Sequence, residues 1–160
     1  MKKLCLALIF LLAVSLADSL EIISDRPMDL GPVRIDSGFY GDQQGNIKLK
    51  VNTTKPMVIY AEVFKSLTSD ENFQLPADGL RYQVYDWNHG GKDRKEQFKG
   101  EILYGADSNW IPYRRGYTPI IRIGEAVTDY EILLGTTIQR IPAVQPNGRY
   151  ETSIWFELRD

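Results

Sequence analysis

The sequence predicts an all-β protein, an antiparallel β-sandwich, with a closed β-barrel as the alternative. Three observations lead there. Apolar residues recur at every second position in several short runs, the period of strands with one wet face. Clusters of Gly, Asn, Asp and Pro separate those runs at short intervals, which suits hairpins and Greek-key links better than parallel crossovers. No stretch carries apolar residues at the spacing of an amphipathic helix. With 160 residues, 43% of them hydrophobic, the chain has enough apolar material for one domain with a real core.

The first segment stands apart from that domain. Residues 1–17 read MKKLCLALIFLLAVSLA: two lysines, an almost unbroken apolar stretch from Leu4 to Leu16, and small residues at Ser15 and Ala17. This is the three-part pattern of a secretory signal peptide, with cleavage expected after Ala17. The apolar stretch falls short of the roughly 20 residues that span a bilayer, and no second run approaches that length. The expected product is residues 18–160, exported to the periplasm, the cell surface or the medium, and not an integral membrane protein. Cleavage removes two of the 19 basic residues and none of the 21 acidic ones, so the side-chain net moves from −2 to −4. It also removes Cys5, the one cysteine. An exported domain without disulfides is held by its core.

The strands follow in order. Leu20-Glu21-Ile22-Ile23 and Val33-Arg34-Ile35 are the early ones, with the stretch from residue 18 to 31 as a linker. In N-I-K-L-K-V-N, Ile47, Leu49 and Val51 alternate with polar residues. Met57, Ile59, Ala61 and Val63 share the next face, and Leu80, Tyr82 and Val84 the one after. Ile102 with Tyr104, Ile121 with Ile123, and Tyr130, Ile132 with Leu134 give three more. Residues 150–158 close the series, with Tyr150, Thr152, Ile154, Phe156 and Leu158 on one side. Ile154 and Phe156 should then face inward and Trp155 outward. Turn residues at 41–45, 77–79, 88–91 and 146–148 separate the runs.

Chemistry is sparse. A net acidic chain is a poor nucleic-acid binder. One histidine, His89, in a Gly-rich turn and no mature cysteine exclude a Cys/His metal site or nucleophile, so no cofactor and no metal are expected. Asp86, Asp129 and Glu131 lie in or beside strands, but no pair of acids is singled out for glycoside hydrolysis. No catalytic residue is assigned, and no P-loop, G-x-S-x-G or calcium loop is present. Asn52-Thr53-Thr54 matches a glycosylation sequon.

One loop stands out. Residues 110–117 gather Trp110, Tyr113 and Tyr117 beside Arg114 and Arg115, with Pro112 and Gly116 shaping the backbone. Rings and guanidinium groups in a stiff loop suit contact with a glycan or a protein partner. The competing expectation is that the rings fold back to cap an open end of the sandwich. Trp155, outward on the last strand, is a second candidate, either to pack under a loop or to form part of an interface.

Several short patterns resemble those of secreted pilin-like domains, the spore-coat-U and fimbrial-subunit types. They are Gly45-Asn46-Ile47-Lys48-Leu49-Lys50-Val51 with Lys55-Pro56; Leu75-Pro76 with Leu80-Arg81-Tyr82 and Tyr85; and Ile141-Pro142-Ala143, then Pro146-Asn147-Gly148-Arg149-Tyr150. The resemblance runs over residues 45–158. The chain lacks the early disulfide and the penultimate tyrosine of chaperone–usher pilins. The resemblance implies an exported, immunoglobulin-like, non-enzymatic domain with a structural or adhesive role at the cell surface. It makes self-association or an envelope protein the expected partner. The alternative is a carbohydrate-binding or other recognition module that uses residues 110–117.

Overall fold

The computed structural model describes residues 17–24, 44–75, 79–86, 100–104, 110–138 and 148–160. The apolar leader with Cys5, the strand expected at residues 33–35, the loop holding His89, most of the expected turn residues and the segment at 141–143 lie outside the described residues. So do the side chains of Tyr85 and Asp86.

Eleven strands and no α-helix make up the described residues. They are β1 Ser19–Ile22, β2 Gln44–Thr53, β3 Met57–Val63, β4 Thr68–Ser69, β5 Leu80–Asp86, β6 Gly100–Ile102, β7 Ile111–Pro112, β8 Thr118–Ile123, β9 Val127–Ile138, β10 Tyr150–Glu151 and β11 Ile154–Arg159. A five-stranded sheet runs β1-β2-β9-β5-β7 and a four-stranded sheet runs β11-β3-β8-β6, with β10-β4 as a small separate ladder. Every pairing is antiparallel. The barrel alternative is thereby overturned. The larger sheet ends at β1 and β7 and the smaller at β11 and β6, and no ladder joins the two among the described residues.

Alternation decides which side chains meet. In β2, Ile47, Leu49 and Val51 are buried, and in β3 so are Met57, Ile59, Ala61 and Val63. Successive strand residues point to opposite faces, so one face of each strand is apolar and the other is wet. The inward residues of both sheets form one core, in which Leu49, Val51, Ile132 and Leu134 from the larger sheet join Ile59, Ile121 and Ile123 from the smaller. Such an arrangement is sandwich-like. Ile154, Phe156 and Leu158 pack against this core while Trp155 points away.

The last strand differs from expectation in one respect. Residues 150–158 do not form a single strand. Thr152 Oγ1 donates to the Lys65 carbonyl at 2.5 Å and breaks the run. Residues before the break pair with β4, and those after it pair with β3.

The first strand is tied down at its start. Asp18 accepts the Thr54 N–H at 2.6 Å and the Thr54 hydroxyl at 2.9 Å. The backbone hydrogen bond from Thr54, more than any other contact, holds the Asp18 carboxyl below its ordinary value of 3.8. A depressed carboxylate adds stability above its unfolded value, and that stability is lost as pH falls through the folded one. Asp18→Asn should therefore be less stable than wild type at pH 6, and the gap should close near pH 2. A gap in denaturant midpoints that stays constant with pH would rule out the carboxylate as its source.

Candidate functional site

The two outer sheet faces differ in character. On the five-stranded sheet the outward residues of β2 and β9 pair with one another. Lys48 Nζ lies 2.8 Å from Glu131 and Lys50 Nζ 2.6 Å from Asp129. Asp129, at φ 50°, is held in a left-handed conformation by Asn52, whose Oδ1 accepts the Asp129 N–H at 2.7 Å. Asn52 Nδ2 also donates to Ser19 Oγ at 3.2 Å. The sequon asparagine is thus a clamp between β1 and the start of β9. Of the acids singled out in the sequence, Asp129 and Glu131 are spent in these ion pairs.

The four-stranded sheet presents rings instead. Trp155 is 62% exposed and Tyr117 is 50% exposed. Trp155 stands opposite Glu62 on β3, and Glu157 stands opposite Tyr60. Tyr117 precedes Thr118, which pairs with Ala61, so continuing that register sets Tyr117 beside Glu62. The outer face therefore carries a row of Trp155, Glu62 and Tyr117, with Glu157, Tyr60 and Pro119 in the next row. Phe64, 73% exposed, continues the outward positions of β3, and its N–H donates to the Ser153 carbonyl.

Arg159 braces this face. Its guanidinium lies 4.2 Å from the Tyr117 ring centre and 5.2 Å from that of Tyr60. Cations are drawn to the negative face of an aromatic ring. The same guanidinium donates to Glu157 Oε2 at 2.6 Å. That bond, with help from the Tyr117 hydroxyl, lowers the Glu157 carboxyl below its ordinary value. A general acid needs a carboxyl that keeps its proton near neutrality, so Glu157 is fitted to fix rings and not to donate protons. Among the described residues, no three His, Cys, Asp or Glu side chains converge as metal ligands. No helix among them is long and apolar enough to cross a membrane.

Residues 110–117 do not form one contact loop. They carry the chain from the larger sheet to the smaller, and their side chains part company. Tyr113 N–H donates to the Leu80 carbonyl, which extends the β5–β7 pairing and turns the ring inward. Tyr113 is only 2% exposed, its ring 4.8 Å from that of Tyr82 and its hydroxyl 3.3 Å from Thr136 Oγ1. It is a core residue and not a contact residue. Trp110 is half-buried, and its carbonyl accepts from Arg81 at 3.2 Å. Arg114 is exposed, its guanidinium 3.8 Å from the Tyr104 ring centre. Arg115 donates to Ser66 Oγ at 2.7 Å. Gly116, at φ +76°, makes the bend that L side chains resist and delivers Tyr117 to the outer face. Of the five residues singled out, Tyr117 alone joins the aromatic face just described.

Tyr60, Glu62, Glu157 and Arg159 were not singled out by the sequence reading. Their outward parity was readable, but their meeting depends on the β3–β11 pairing, which joins residues about 90 positions apart.

Among the described residues, the fold and this face define an all-β protein with two main sheets, one bearing a self-paired charged face and the other an aromatic face. Compared with known proteins, the chain matches no family model, no curated protein and no solved structure.

Proposed function

We propose that the chain is an exported, non-enzymatic surface protein with an immunoglobulin-like, pilin-like sandwich, and that it acts by adhesion through the outer face of its four-stranded sheet. The observation that carries this reading is the pair of exposed rings, Trp155 and Tyr117, with Tyr117 held by an arginine that is itself fixed by Glu157. Rings braced in place lose little freedom on contact, which is where aromatic anchors gain their affinity. The apolar leader with its small-residue cleavage pattern supports export. The self-paired charges of the other sheet favour the aromatic face over that one as the contact surface.

The test begins with the exported product of the full chain, whose N-terminus should be Asp18 by sequencing. Beads coated with that product should adhere to intact cells. A Trp155→Ala/Tyr117→Ala double variant should lose at least tenfold of that adhesion while keeping its thermal midpoint. Undiminished adhesion by the folded double variant would remove this face from the function.

A further inference from the structure

The contact row contains one group whose chemistry narrows the ligand. Glu62 lies opposite Trp155, and the β3–β8 register carried one step past Ala61 and Thr118 sets Tyr117 on its other side. The neighbouring carboxylate, Glu157, is taken by Arg159. Glu62 has no hydrogen bond or ion pair among the described residues, and neither has the Trp155 indole N–H. The row thus offers two exposed rings, one of them braced by Arg159, with one acceptor and one donor beside them.

We propose that this row binds a neutral polysaccharide, a ligand class that rests on the adhesive reading of the face. The C–H-rich side of a sugar ring stacks on the electron-rich face of an aromatic ring. Glu62 accepts hydrogen bonds from sugar hydroxyls between the stacked rings, and such charge-assisted bonds are the stronger kind. Neighbouring strands lie about 4.8 Å apart, so Trp155 and Tyr117, two strands apart, stand roughly 10 Å from one another at the backbone. That spacing suits two linked sugars better than a single one. The arrangement is flat, as the face of a sheet must be, and a flat row of rings fits an extended chain.

Charge argues against the other occupants. The free charge in the row is negative, which opposes an acidic polysaccharide. Arg159, the adjacent cation, gives an N–H to Glu157 and its face to Tyr117. An apolar protein surface laid over the row would bury Glu62 without a partner, and buried unpaired carboxylates are strongly disfavoured. A lysine- or arginine-bearing protein would satisfy Glu62, and salt separates that case from a sugar. Attraction between exposed opposite charges is screened by salt, while hydroxyl hydrogen bonds and ring stacking are not.

The experiment uses the exported product of the full chain in affinity electrophoresis and calorimetry. The neutral probes are cellohexaose, xylohexaose, mannohexaose and chitohexaose, and the acidic probes are polygalacturonate and hyaluronate. Sedimentation of the protein alone reports on self-association. The expected result is binding to at least one neutral hexasaccharide, unchanged between 0.05 and about 0.5 M salt. Trp155→Ala should weaken it about tenfold or more, and Glu62→Gln, which keeps an acceptor but loses its charge, several-fold, with thermal midpoints unmoved. Binding to no neutral probe, or to the acidic polymers alone, would overturn the ligand class. So would a steep loss of cell adhesion with salt, or self-association abolished by Trp155→Ala without sugar binding. Each of those outcomes still leaves the face adhesive. If Trp155→Ala and Tyr117→Ala change neither sugar binding, cell adhesion nor self-association, the adhesive reading falls with the proposal.

Discussion

Replacing Tyr113 by alanine should lower stability by about 3–5 kcal/mol, the range for emptying a buried aromatic site. The ring is 2% exposed and packs at 4.8 Å, tilted, against Tyr82 inside the shared core. The loss should appear as a lower urea midpoint with little change in slope. Tyr113→Phe should cost only about 1 kcal/mol, because it removes the Thr136 hydrogen bond and keeps the ring. Tyr82→Phe should go the other way. The Tyr82 hydroxyl is buried with no hydrogen-bond partner among the described residues, so deleting it relieves a desolvation cost and should stabilise by up to about 1 kcal/mol. The two tyrosines also predict an alkaline limit. Burial raises both hydroxyls above their ordinary value of 10.0. An acid raised on folding adds stability below its unfolded value, and that stability is lost as pH rises above it. Above pH 10, stability should fall by about 1.4 kcal/mol per pH unit for each tyrosine, and Tyr82→Phe should halve the slope. A Tyr113→Ala protein with an unshifted midpoint would return this ring to the surface, one of the two places the loop's composition allows.

That open choice shows where sequence reading stops. Trp, Tyr and Arg crowded around a proline and a glycine look like an exposed loop, because each residue type is common at contact surfaces. The fate of Tyr113 is set by Leu80, more than thirty residues earlier, whose carbonyl takes the Tyr113 N–H and extends a strand only two residues long. A strand that short leaves no period to read. The same holds for β4, which the periods missed and which exists because β10 pairs with it. Longer strands were legible for the opposite reason. Ile47, Leu49 and Val51 alternate with Lys and Asn, so only one register puts the apolar set inside.

β9 is the intermediate case. Its first half, through Leu134, was read from apolar alternation, but the strand continues to Ile138. Gly135, Thr136 and Thr137 are buried there, and neither glycine nor threonine signals burial by type. Ile120 was missed for a related reason. The β3–β8 register shifts between Ile59 and Tyr60, so Ile120 and Ile121 are both buried where strict alternation would expose one of them. The candidate site repeats the pattern. The outward direction of Trp155 was legible within its own strand, whereas its neighbours Glu62 and Tyr60 belong to a strand paired across most of the chain.

Leu134→Ala should cost about 3–5 kcal/mol, while Leu133→Ala, one residue away on the same strand, should cost about 1 kcal/mol or less. β9 lies between β2 and β5, so its inward side chains sit at the centre of the larger sheet. Leu134 is 0% exposed, level with Ile47 on one neighbour and Val84 on the other. Removing its isobutyl group leaves a cavity walled by paired strands on both sides, which cannot close without breaking ladder bonds, so the cavity cost adds to the transfer cost. Leu133 stands on the outer face opposite Lys48 and is half-buried, so water fills the space its side chain leaves. The two substitutions are chemically identical and differ only in which face they occupy. A ratio of three or more between their losses in denaturant melts fixes the strand's register from solution data. Equal losses, or the larger one at Leu133, would mean that β9 is shifted by one residue and that every inward assignment on the larger sheet shifts with it.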